Sequence, residues 1–154
     1  MELQIKIKKK FNKYKKTIIQ QIGSKALYDD EINSICHKLF GSKWYGAYAI
    51  DQIPVKKYNE IHYFIVNTDK QNGKGEHWVA VVLHKQNCYI YDSFGRHSTS
   101  ILKPLANLLS KKSIHITDSD YTKEQHGYKS QICGQLCIAW LLCYDSFGKD
   151  ALLI

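Results

Sequence analysis

The chain has 154 residues, 44% of them hydrophobic, with three Trp and eleven Tyr, enough apolar area for one packed domain and too little length for two comfortable ones. A formal net charge of +8, no apolar run near the roughly 20 residues of a membrane span, and lysines where a signal peptide would be hydrophobic exclude a membrane-spanning or secreted class. Five cysteines, an odd number, fit neither a paired disulfide framework nor two CxxC metal knuckles, and are read as reduced thiols in an intracellular setting.

Residues 1–23 form a basic segment, separate from a single domain over 24–154. Lys6, Lys8, Lys9, Lys10, Lys13, Lys15 and Lys16 stand there against Glu2 alone, an electrostatic footprint for nucleic acid or another polyanion. Leu3, Ile7, Phe11, Tyr14, Ile18 and Ile22 recur at spacings of three and four, which predicts a helix with one apolar stripe. The alternation over 4–8 permits a strand start instead.

A second helix is predicted over Asp29–Phe40, with two aspartates in its first turn and Gly41 to stop it. Trp44–Tyr48 reads as an aromatic, glycine-containing loop, and Ile61–Asn67 as a buried strand. After a polar turn over Asp69–Gly75, Trp78–His84 and Cys88–Asp92 form a hairpin about Lys85-Gln86-Asn87. Ser100–Leu109 has helical spacing with Pro104 in a first turn, Ile114–Thr117 is strand-like, and Gln125–Gln131 is a loop. From Cys133 and Gly134 the run through Cys143 is apolar all round, as in a helix buried at the centre of the domain.

Three positions in this layout carry chemistry. Cys133 opens the late helix, where unpaired backbone N–H groups favour a thiolate and an oxyanion, and Gly134 beside it leaves room for a substrate backbone. In an antiparallel hairpin the outer ends meet, so His77 and Asp92 become neighbours. A carboxylate there can hold one ring nitrogen and leave the other to serve the thiol. The bland alternatives are a buried cysteine like Cys137, a surface histidine and a turn aspartate before Ser93-Phe94-Gly95.

Ile65-Val66-Asn67-Thr68, Gly75-Glu76-His77-Trp78-Val79-Ala80, Cys88-Tyr89-Ile90-Tyr91-Asp92-Ser93-Phe94-Gly95 and Cys133-Gly134-Gln135-Leu136-Cys137 together resemble the adenovirus maturation protease (adenain) family. That family belongs with the ubiquitin-like-modifier proteases and the maturation proteases of large DNA viruses. The resemblance runs from about Glu31 to Gly148. It implies an α+β fold in which a central buried helix bearing Cys133 packs on a mainly antiparallel sheet bearing His77 and Asp92. It also implies a cysteine peptidase with Cys133 as nucleophile, His77 as base, Asp92 as orienting acid and a glutamine in the oxyanion hole. Trp78 and Gly134 are the implied substrate-facing residues.

The family's glutamine usually stands six or seven residues before the cysteine. Here Gln125 stands eight before and Gln131 two before, and Gln125 is preferred because a glycine-containing loop follows it. The stretch matching the adenoviral disulfide partner of an activating peptide is Ser113–Thr117, without cysteine, so disulfide activation is not implied. The compact layout with a basic N-terminal segment is similar to proteases of virophages and other small DNA viruses.

By resemblance the expected substrates are viral capsid or core precursors, processed in the virion or infected cell by a monomer. No metal or resident cofactor is expected, and DNA or a viral peptide is kept as an alternative activator. The competing readings are a deconjugating isopeptidase for a ubiquitin-like modifier, an acyltransferase, and a DNA-binding structural protein acting through its lysine-rich arm.

Overall fold

A computed structural model of the chain describes residues 1–71, 73, 77–121, 123–125 and 131–154. The elements are α1 (Glu2–Ile22), α2 (Asp29–Phe40), β1 (Trp44–Ala49), β2 (His62–Asn67), β3 (Trp78–His84), β4 (Asn87–Tyr91), α3 (Ser98–Ile101), α4 (Lys103–Lys111), β5 (His115–Asp118) and α5 (Cys133–Phe147). The strands form one five-stranded sheet in the order β1-β2-β3-β4-β5. The fold is α+β, with a sheet that is antiparallel at its centre, β2-β3-β4, and parallel at both edges. Parallel pairing at the edges follows from the connections, since both β1 to β2 and β4 to β5 need a crossover, the second containing α3 and α4.

Alternation along the central strands divides two apolar cores. Tyr63, Ile65, Ala80, Val82, Tyr89 and Tyr91 face α1, α2 and α5, whereas Phe64, Val66, Val79, Val81, Leu83 and Ile90 face α4 and the segment over residues 50–58. Helix α5 is apolar on every side because it lies between the sheet and α1. Its Trp140 stacks on Tyr91 with ring centroids 5.4 Å apart, and its indole N–H donates to the Ala151 carbonyl.

The apolar stripe of α1 forms as a helix and not as a strand, and Ile7, Phe11 and Ile18 are buried in the core shared with α5. Two sequence expectations need correction. Trp44–Tyr48 is not a loop but most of β1; Gly46 masks it in the sequence, yet a Cβ there would stand 2.8 Å from the Tyr48 ring. The helix expected over Ser100–Leu109 is two pieces broken at Leu102, because Pro104 lacks an N–H and clashes with a helical turn before it. Gly75 and most of the loop expected over Gln125–Gln131 lie outside the described residues.

Candidate active site

The β3–β4 register places the site. Ala80 pairs with Tyr91, so continuing the ladder sets Asp92 opposite Val79 and diagonal to His77, on one face of the sheet. The ladder beyond β3 is real on its other side too, since Thr68 N–H donates to the His77 carbonyl at 2.8 Å. His77 Nε2 and Asp92 Oδ1 are 2.5 Å apart, both residues being buried. Helix α5 brings Cys133 to the same strand end: Trp78 N–H points at Cys133 Sγ at 3.5 Å, and the Cys137 thiol donates to the Trp78 carbonyl at 3.3 Å. With Nε2 engaged by Asp92, the other ring nitrogen of His77 is the one that serves its hydrogen bond with Cys133.

These contacts set the charges. Burial pushes the Cys133 thiol up, but hydrogen bonds from His77 and the Trp78 N–H, the charge of His77 and the Gly134 N–H outweigh it, and its pKa lies below that of an ordinary thiol. The other four cysteines go the opposite way, each raised by burial first. His77 is held above the ordinary imidazole value: burial opposes its charge, and the bonds to Asp92 and Cys133 overcome that. Asp92 is drawn down to about 2 despite burial, by hydrogen bonds from His77 and Arg96.

The turn after β4 ties these groups together. Gly95 N–H donates to the Asp92 carbonyl at 2.9 Å, and Gly95 has φ of 67°, a left-handed conformation that glycine adopts freely. This folds Arg96 back, so that its backbone N–H and Nε both reach Asp92 Oδ2, at 3.0 and 2.9 Å. Phe94 is turned onto the imidazole, with ring centroids 5.0 Å apart. Ser93 is buried, and its carbonyl accepts from the Glu124 and Gln125 N–H groups while its hydroxyl donates to Gln125 Oε1 at 2.8 Å.

Gln125 is therefore buried and fixed at the rim of the cleft, whereas Gln131 is exposed there. The cleft has a volume of about 1580 Å³, and Cys133, His77, Trp78, Phe94 and Gln125 are among its walls. Trp78 is held by its indole N–H on the Leu27 carbonyl, at 2.9 Å. Gly134 is buried beside Cys133, and a Cβ there would come within 3.2 Å of the Leu27 side chain. Ser93, Phe94 and Arg96 escaped the sequence reading because a D-S-F-G run reads equally well as an ordinary turn.

The basic residues divide by environment. Lys6, Lys9, Lys13 and Lys16 are exposed on α1, while Lys8, Lys10 and Lys15 are half-buried. Lys8 is turned inward and ion-paired with Glu124, next to Gln125, and Lys10 lies over the Tyr14 ring. Among the described residues no cluster of His, Cys, Asp and Glu could hold a metal ion, and no helix is long and apolar enough to cross a membrane.

No curated protein matches the chain at a significant level. Residues 51–153, well over half of the chain, match the family model described as adenovirus endoprotease.

Proposed function

The chain belongs to the adenovirus endoprotease family and is a cysteine peptidase of that type, and we propose that Cys133, His77, Asp92 and Gln125 are its catalytic residues and viral capsid or core precursor proteins its substrates. The observation that carries this reading is one lowered thiol hydrogen-bonded to an imidazole that is itself held by a buried carboxylate.

In this mechanism the Cys133 thiolate attacks the scissile carbonyl carbon. The oxyanion is met by the Cys133 backbone N–H at the start of α5 and by the Gln125 carboxamide, which Ser93 holds in place; a fixed donor stabilises charge without reorganising. Protonated His77 gives its proton to the leaving amine as the C–N bond breaks, leaving an acyl-enzyme. His77 then takes a proton from water, the hydroxide attacks the thioester, and the thiolate departs. Asp92 keeps the ring oriented and stabilises its charged form throughout. Cleavage of a precursor-derived peptide should vanish in Cys133→Ala with the circular dichroism spectrum unchanged. Undiminished cleavage by that variant contradicts the assignment.

Nucleic acid is a proposed partner through the exposed lysines of α1, which would hold enzyme and nucleic-acid-bound precursors on one polyanion. Action in the virion and infected cell belongs to the same proposal.

A further inference from the structure

The direction in which a substrate lies across the cleft follows from the acid in the mechanism. The leaving amine must face His77 to receive its proton, so the residues after the scissile bond run out past His77, on the side away from the acyl group. The ring packed against the His77 imidazole is Phe94, with centroids 5.0 Å apart. Two cations stand over the Phe94 ring: the Arg96 guanidinium at 5.0 Å from the centroid and the Lys123 ammonium at 5.8 Å. Both residues, like Phe94, border the cleft.

Among the described residues the charge of this wall is positive. Arg96 pairs with Asp92, which is buried and shared with His77. Glu124, next to Lys123 in sequence, is paired with Lys8 of α1. Among the described residues Lys123 itself has no carboxylate partner within salt-bridge distance, and it is exposed.

Resting on the peptidase reading, we propose that Phe94, Arg96 and Lys123 form a subsite on the leaving-group side of the cleft that selects an acidic substrate residue. An extended chain advances about 3.3–3.6 Å per residue, which places the selected side chain within roughly three residues after the scissile bond. The contact is open to solvent, so its strength is that of an exposed ion pair, weakened by salt. Arg96 also touches Asp92, and Lys123 is therefore the residue on which the subsite is tested.

The full chain is incubated with a library of proteome-derived peptides, cleavage sites are read by mass spectrometry, and sites retained by Cys133→Ala are subtracted. Glu and Asp should be enriched over Lys and Arg in the first three positions after the cut, by roughly five- to tenfold at low salt. Lys123→Gln should flatten that ratio and Lys123→Glu should invert it, the ratio being internal to each variant and so independent of how much folded enzyme it yields. An absent acidic preference, or one that both variants leave unchanged, overturns the subsite while the peptidase reading stands. No Cys133-dependent cleavage at all overturns the peptidase reading and the subsite with it.

Discussion

Asp92 gives one carboxylate oxygen to His77 and the other to Arg96, and two cationic partners are the reason a carboxyl this buried stays ionised. The sign of the pH effect follows. Its folded pKa is depressed from 3.8 to about 2, so its contribution to stability is complete above pH 3.8 and is lost as pH falls toward 2. That contribution is about 2 kcal/mol. Chemical denaturation at several pH values should show this loss between about pH 4 and pH 2 in the native chain and its absence in Asp92→Asn. The same variant should cleave roughly 10²–10⁴-fold more slowly, because the imidazolium loses its carboxylate. An Asp92→Asn enzyme with native activity and native acid sensitivity would remove the carboxylate from the mechanism.

Helix α1 is more than a carrier of positive charge. Its buried stripe packs on α5, Phe11 approaches Tyr91 beside Asp92, and Lys8 reaches Glu124 beside Gln125. The segment that leaves it gives the Gly23 and Lys25 carbonyls to Gln135 in the first turn of α5, at 3.1 and 2.7 Å. Lys8→Met should therefore lower kcat several-fold with little change in KM, through the position of Gln125 and not through substrate affinity; a pure KM effect or none would detach α1 from catalysis.

The helices α1, α2 and α5 were legible in the sequence because apolar side chains recur at helical spacing in each, or fill α5 completely. The hairpin was legible too, and with it the meeting of His77 and Asp92. Strand β1 was not, since Gly46 and its place at the sheet edge blur the alternation. The hub of Ser93, Phe94 and Arg96 was hidden for another reason: its partners lie up to 32 positions away, and no local pattern announces Ser93 holding Gln125.

Across the whole molecule, the exposed lysines of α1 and the cleft at the strand ends lie on different parts of the surface. Because α1 also belongs to the core, neutralising its exposed lysines separates charge from folding where deletion of the helix cannot. Replacing Lys6, Lys9, Lys13 and Lys16 by Gln should leave thermal stability within about 1 kcal/mol and weaken duplex DNA binding. The slope of log affinity against log salt should shrink by up to about 3–4, and an unchanged slope would take α1 out of nucleic-acid recognition.

Three distant stretches of chain must meet for the Cys133 thiol to be ionised by its neighbours. Burial alone already shields the other four cysteines, so the decisive quantity is the pH dependence of labelling and not its selectivity. The rate of Cys133 alkylation by limiting iodoacetamide, followed by peptide mass spectrometry from pH 4 to 10, measures it directly. The predicted midpoint lies below the ordinary thiol value of about 8.5 and moves up in His77→Ala; a midpoint at or above that value, unmoved by the substitution, would contradict an activated nucleophile at Cys133.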